Sequence, residues 1–268
     1  MIPKIIHYCW FGGDPLPELA IKCINSWKKY FPDYEIKEWN ETNFDIQCCN
    51  YVQEAYEAKK WAFVSDYARF WILCHYGGLY FDTDVEVIKP FDDIIKRGAF
   101  IGCEQANKCA PGLGLGVNPG LGLFKEILDL YHTIHFKKEN GELNTSITVV
   151  EYTTDVLLRH NWKPDGTIQE IEGIYIYPPE YFCPMDYITG KINITSNTYS
   201  IHHYTASWHS KTDDKITHVS RFCVNHFGMT KGKKIARILD FPLRVKKKVD
   251  AIGLRGAIRF AFSKILKR

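Results

Sequence analysis

The sequence predicts an α/β fold, with a mostly parallel sheet flanked by helices and a basic helical tail behind it. Three observations lead there. The apolar run PKIIHYCWF (3–11) is followed by a helix-periodic stretch (16–31) and then by the alternating segment YEIKEWN (34–40). A strand–helix–strand succession calls for parallel strands joined by a crossover. A second helical stretch (53–76) stops at Gly77-Gly78 and delivers the chain directly into another strand. Finally, residues 231–268 carry 13 Lys/Arg against two Asp, whereas the first 230 residues carry 21 basic and 29 acidic residues. The expected division is therefore a domain over 1–230 and a basic tail over 231–268.

At 268 residues, with 46% apolar and 24% charged residues, the chain is large enough for a substantial core and has ordinary globular composition. Its nine cysteines contain no CxxC pair, which excludes a zinc ribbon or a regular disulfide framework and predicts a reducing compartment. MIPKIIHYCWF lacks the long apolar core and small-residue cleavage site of a secretory leader. No run approaches the roughly 18–20 apolar residues that span a bilayer.

The elements follow in order. GGDP (12–15) ends the first strand in a turn, and Leu19, Cys23, Trp27 and Tyr30 recur at helical spacing. Tyr34, Ile36 and Glu38 alternate with Glu35, Lys37 and Trp39 as on a strand. The stretch 53–76 is one long helix or two. GGLYFDTDVEVIKP (77–90) is rich in strand formers, and as one strand it sets Asp82, Asp84 and Glu86 on a single face. GLGLGVNPGLGLF (112–124) has no helix immediately after its first glycines, so it is expected to be a flexible connection before a helix over 122–136 rather than a phosphate-binding loop. IYIYPPEYFCP (174–184) predicts a strand and a proline-braked turn. NTYSIHHYTASW (197–208) predicts a late strand and turn, with His202 and His203 facing opposite ways.

The chemistry concentrates at Asp82 and Asp84. Two carboxylates at i and i+2, where a strand leaves its sheet, can share a hard divalent cation, Mn²⁺ or Mg²⁺, which offsets their repulsion and meets substrate phosphates. A solvated edge strand is the plainer explanation of an isolated DxD. Here, however, Ser65-Asp66-Tyr67-Ala68-Arg69 on a helix precedes Gly77-Gly78-Leu79-Tyr80-Phe81-Asp82-Thr83-Asp84. This block resembles the DXD-containing, family 32-like glycosyltransferases, which include yeast α-1,6-mannosyltransferases, α-1,4-galactosyltransferases and bacterial capsule enzymes. It is also similar to the glucosyltransferase domain of the large clostridial toxins. Ile6, His7 and Trp10 resemble the family's opening strand. YPPEYFCP and SIHHYTASW resemble later blocks, and the likeness runs in pieces from about residue 2 to 210.

The resemblance implies a GT-A-type, Rossmann-like fold and a metal-dependent, retaining hexosyltransferase acting on a nucleotide-diphosphate sugar, with UDP-hexose first and GDP-mannose second. It assigns base stacking to Trp10 and hydroxyl contacts to Asp66. Arg69 faces the donor sugar or diphosphate, where a guanidinium fork suits oxyanions. Asp82 contacts ribose or sugar and shares the metal site, and Asp84 is the principal metal ligand. A late-strand histidine completes the site, with His203 preferred over His202. Ser207 and Trp208 close over the diphosphate. Ala206 departs from the family's usual glycine. Glu86 has no family role and is expected in a salt bridge. No nucleophile is assigned.

In the tail, Ile258, Ala261, Phe262, Ile265 and Leu266 share helical spacing, with Arg259, Lys264 and Lys267 on other faces. A basic amphipathic helix predicts an anionic membrane surface as partner, and no nucleic-acid-binding motif is present. The resulting expectation is a cytoplasmic enzyme, peripheral on the inner face of a bacterial membrane. It would glycosylate a glycan or lipid-linked oligosaccharide for a capsule or surface polysaccharide, with acceptor-binding segments in 104–118 and 140–160. Two alternatives stand beside it: a haloacid-dehalogenase-like phosphohydrolase using the DxD strand, and a non-catalytic sugar-nucleotide or glycan-binding module.

Overall fold

The computed structural model describes residues 1–205, 211–250, Gly253 and Gly256. The contacts divide the chain into Met1–Met185 with Ile192–Tyr204, and Asp186–Lys191 with Thr205–Arg268. The boundary expected from charge, at 230/231, thus differs from the boundary set by packing, at 204/205.

The first unit opens with β1 (Ile5–Cys9), α1 (Glu18–Tyr30), β2 (Glu35–Trp39), α2 (Asn50–Glu57) and α3 (Trp61–Tyr76). The 53–76 stretch is two helices, separated where Lys59 takes a φ of 55°. Then come β3 (Gly78–Tyr80), β4 (Val85–Val87), α4 (Asp92–Arg97), β5 (Ala99–Gln105), β6 (Lys108–Cys109), β7 (Leu115–Val117) and α5 (Gly122–Thr133). The unit closes with α6 (Val149–Arg159), β8 (Gln169–Ile171), β9 (Ile174–Tyr177), α7 (Pro179–Phe182) and β10 (Ser200–His202).

The main sheet has the order β2-β1-β3-β7-β5-β9-β8, with β6 beside β5. Strands β2, β1, β3, β5 and β9 run in one direction and β6, β7 and β8 in the other, so five of the eight strands end at the same edge. Period-two alternation fills both faces. Tyr80, Ile101 and Ile176 pack with Val64, Phe70 and Phe124 of α3 and α5. Leu79, Phe100 and Tyr177 pack with Trp27 of α1 and Phe182 of α7.

The glycine-rich segment is not a flexible connection. Part of it is β7, inside the sheet, and its glycines admit bulky neighbours: a Cβ on Gly116 would lie 2.3 Å from Phe100 Cε1. Phe100 occupies the space that a side chain would need.

His7 is 1% exposed on β1. Its Nε2–H donates to the Gly77 carbonyl at 3.0 Å, and its Nδ1 accepts from Trp39 Nε1 at 3.0 Å. Only the neutral ring satisfies both bonds. Burial lowers its pKa from 6.5 to about 4, against the raising effect of the Gly77 carbonyl. This fixes the turn that feeds β3.

The second unit contains α8 (Lys211–Phe227), α9 (Met229–Leu239) and a helical run over 241–250. Cys223, Val224 and Ala236 are buried between α8 and α9. Ile238, Leu239 and Phe241 are exposed. Among the described residues no helix is long and apolar enough to cross a membrane. The amphipathic pattern over 258–267 lies outside the described residues.

The His7 contribution has a definite sign. Its folded pKa is depressed, so the contribution is complete above pH 6.5 and is lost as pH falls toward 4, amounting to about 3 kcal/mol. Urea unfolding of wild type and His7→Gln at pH 7.5 and 4.5 isolates it. The stability gap between them should narrow by about 2 kcal/mol at the lower pH. A constant gap would contradict the neutral-ring assignment.

Candidate functional site

The acidic segment is not one strand. The chain leaves the main sheet after Tyr80, turns so that Val85 N–H donates to the Asp82 carbonyl at 3.0 Å, and resumes as β4. Strand β4 pairs with β10 in a separate two-stranded antiparallel sheet. The expected row of three carboxylates on one strand face is therefore corrected. Three like charges that close would repel, and the turn gives each its own cationic neighbour instead. Helix α1 holds β4 in place: Trp27 Nε1 donates to the Val85 carbonyl at 2.8 Å, and Ser26 Oγ accepts from Val87 N–H at 2.9 Å.

Arg69 is the centre of the arrangement. Its side chain is 5% exposed. Nη2 lies 3.0 Å from Asp66 Oδ1 and 3.3 Å from Asp82 Oδ1, and Nε donates to the Ser65 carbonyl at 3.0 Å. The guanidinium also sits 5.0 Å from the Tyr80 ring centroid, and the Tyr80 hydroxyl donates to Asp82 Oδ1 at 3.1 Å. Burial alone would lower the Arg69 pKa, but Asp82, Tyr80 and Asp66 raise it above its usual value, so the group stays charged. Burial pushes the Asp66 carboxyl up to about 7, with Arg69 pulling the other way. The Val149 N–H, at the positive end of α6, also favours the ionised form of Asp66.

Gly112 closes this cluster from the far side. Its carbonyl accepts from Asp82 N–H at 2.9 Å, and a Cβ here would fall 1.8 Å from Asp82 Oδ2 and 3.0 Å from Arg69 Nη1. Gly112, Tyr80 and the Ser65 carbonyl are parts of the site that sequence reasoning passed over. The first glycine of GLGLG was the available signal.

Asp84 pairs with His202: His202 Nε2 and Asp84 Oδ1 are 3.2 Å apart. His203 points elsewhere, its Nε2 lying 2.8 Å from Glu86 Oε2, which also receives Lys22 Nζ at 2.8 Å. The structure thus sets His202, not the expected His203, beside Asp84. On β10, alternation sends His202 to the Asp84 side and His203 to the Glu86 side. Burial alone would lower the His202 pKa, but Asp84 raises it well above normal. Ser207 and Trp208 lie outside the described residues.

Asp84, His202 and Asp82 supply oxygen and imidazole donors of the kind that Mn²⁺ accepts. Among the described residues they are not gathered into a group of three or more potential ligands. Asp82 is turned toward Arg69 rather than toward Asp84 and His202. Trp10, at the end of β1, is half-buried, with Nε1 donating to the Asp14 carbonyl at 2.6 Å. It stands at the same sheet edge as Asp82, the edge where open α/β sheets bind ligands.

Comparison with known proteins identifies the family. A family profile described as "Glycosyltransferase sugar-binding region containing DXD motif" matches residues 17–101. The uncharacterized glycosyltransferase L373 of Acanthamoeba polyphaga mimivirus is 31% identical over 189 residues, 66% of this chain and 74% of that protein. Inositol phosphoceramide mannosyltransferase 1 of Schizosaccharomyces pombe is 31% identical over 111 residues, 37% of this chain and 33% of that protein. The chain thus spans about a third of the length of that fungal relative. Among solved structures, the PaToxG glycosyltransferase is similar with a TM-score of 0.48 and 20% identity, over 59% of this chain and 69% of that one. The chain belongs to the family of glycosyltransferases whose sugar-binding region contains a DXD motif.

The close approach of Gly112 is directly testable. Gly112→Ala should cost about 1–3 kcal/mol in guanidinium unfolding, because Asp82 and Arg69 must move aside. Gly122→Ala, where a Cβ meets nothing within 4 Å, should stay within about 0.5 kcal/mol or stabilise. Equal effects at the two positions would contradict the packing.

Proposed function

We propose that this chain is a retaining, metal-dependent hexosyltransferase that moves a hexose from a nucleotide-diphosphate sugar to a hydroxyl of a glycan or lipid-linked oligosaccharide. The observation that carries it is the buried Arg69, clasped by Asp66 and Asp82 one turn of chain away from the Asp84–His202 pair. UDP-hexose and GDP-mannose are the donors to compare first. The mannosyltransferase name of the Schizosaccharomyces pombe relative adds weight to the second. Family membership leaves no reason to keep the phosphohydrolase alternative.

Each residue has a physical task. Trp10 offers an aromatic face to the nucleotide base. Asp66 accepts hydrogen bonds from sugar hydroxyls. Arg69, already ordered and charged, stabilises negative charge as it grows on the departing diphosphate, without reorganising at the moment of reaction. Asp82, Asp84 and His202 would hold Mn²⁺ or Mg²⁺, which supplies Lewis-acid neutralisation of the diphosphate when bound. The bond from the sugar C1 to the diphosphate breaks and a bond from C1 to the acceptor oxygen forms on the same face. The acceptor's proton passes to the leaving phosphate oxygen. This route needs no protein nucleophile.

Exposed apolar residues among basic ones in the second unit support the reading of membrane-surface association. Exposed Ile238, Leu239 and Phe241 lie in sequence between Lys233, Lys234 and Arg237 on one side and Arg244 and Lys246 on the other. Apolar residues inserted beside basic ones bind anionic lipid, each Lys or Arg adding about 1 kcal/mol.

Two measurements test this reading. With Mn²⁺ and a panel of UDP-hexoses and GDP-mannose, the protein should release nucleoside diphosphate from one donor. Asp84→Asn and Arg69→Lys should each reduce the rate by about 10²–10³. No release from any donor, or full activity in Asp84→Asn, would contradict the assignment. In flotation with phosphatidylglycerol vesicles, wild type should float at low salt, and Lys233→Glu with Lys234→Glu should weaken binding more than tenfold. Equal flotation of both forms would rule out the charge-driven membrane contact.

A further inference from the structure

One acidic side chain at the ligand-binding edge has no part in the clasp. Glu104 is the penultimate residue of β5, which runs in the same direction as β1 and β3. It therefore stands on the same rim as Trp10 and Asp82, two strand positions beyond β3 in the order β3-β7-β5. It lies just past the end of the family match at residue 101.

The local backbone re-aims this residue. Cys103 pairs with Cys109 and Gln105 with Lys108, so the register shifts between them and Glu104 is left without a partner residue on β6. A bulge of this kind turns a side chain out of the regular alternation, and bulges are over-represented beside active sites. Glu104 is half-buried, and its carboxylate makes no hydrogen bond within the described residues. A half-buried carboxylate with unused acceptor capacity is costly unless something donates to it.

Its surroundings indicate the donor. Glu104 is within electrostatic reach of His202, the partner of Asp84, and of Lys108 and Glu151. Burial raises its pKa, while His202 and Lys108 act to keep it ionised. Lys108 is itself engaged by Glu151 at 3.0 Å, and Glu151 is held by the Thr148 capping box of α6. The neighbours that could satisfy Glu104 are thus occupied with each other or with Asp84. Along the rim, the base position at Trp10 comes first, then the diphosphate position at Arg69 and Asp84. The next position, at β5, falls to the sugar.

We propose that Glu104 binds the hexose of the sugar-nucleotide donor, accepting hydrogen bonds from one or two of its ring hydroxyls and so helping to select the sugar. An ionised carboxylate is acceptor-only and has two oxygens, which suits a pair of neighbouring hydroxyls. The proposal rests on the glycosyltransferase reading of the same site.

The test compares binding of a sugar nucleotide with binding of its nucleoside diphosphate, by calorimetry in Mn²⁺, using UDP-glucose, UDP-galactose and GDP-mannose against UDP and GDP. Glu104→Gln keeps the shape and removes the charge. It should weaken the preferred sugar nucleotide about tenfold or more, because a charge-assisted hydrogen bond is lost. Affinity for the bare nucleoside diphosphate should stay within about twofold, since Glu104 touches only the sugar. Glu104→Asp, which keeps the charge one methylene further back, should fall between wild type and Glu104→Gln. Equal weakening of both ligands would overturn the proposal by showing that Glu104 acts through His202 and the cation. Unchanged binding of both would overturn it outright, including the case where only transfer to an acceptor suffers. If wild type binds none of these nucleotides, the glycosyltransferase reading fails first, and that outcome is distinct from the others.

Discussion

A guanidinium almost closed off from solvent needs its charge balanced on every side, and at Arg69 those balances set the geometry of the site. Asp66, one helical turn earlier, supplies one carboxylate, and Asp82, across the end of β3, supplies the other. The Ser65 carbonyl fixes the third direction. Removing either acid would leave a buried charge short of a partner, a change that typically costs several kcal/mol. The constraint therefore ties helix α3 to the strand end and brings the glycine segment in over both. Gly112 follows from it, because no side chain fits between that backbone and Asp82.

The same constraint explains why the acidic segment turns. Asp82 is committed to Arg69, so Asp84 must leave the main sheet to find its own partner, and the two-stranded sheet of β4 and β10 provides His202. Glu86 then falls to the opposite side, to Lys22 and His203. One turn over 82–84 thus separates the Arg69 ion-pair cluster from the Asp84–His202 pair. Trp27 and Ser26 of α1 hold that turn from below. The buried, neutral His7 anchors the chain just before it.

Much of this was legible in the residues. Strand–helix–strand order, the helical block carrying Ser65, Asp66 and Arg69, and the Gly77-Gly78 stop all follow from short-range periodicity and glycine placement, which depend little on distant neighbours. What was misread depended on contacts across the sequence. The acidic row looked like one strand because Phe81, Val85 and Val87 are strand formers. The break comes from charges more than ten residues away. GLGLG looked flexible because glycine is permissive. In the fold its lack of side chains admits Phe100 and Asp82 instead. Which histidine lies beside Asp84 depends on which face of β10 meets β4, a register that no local pattern encodes. Glu104 was not singled out within the segment 104–118 because its placement depends on a one-residue slip against β6.

The central claim is that the Arg69 clasp and the Asp84–His202 pair together receive one diphosphate. A crystal structure of the protein with Mn²⁺ and a nucleoside diphosphate tests it most directly. The account predicts diphosphate oxygens lying between the Arg69 guanidinium and a cation held by Asp84 and His202, with the base against Trp10. A nucleotide bound elsewhere, or a cation held by His203 and Glu86, would contradict it.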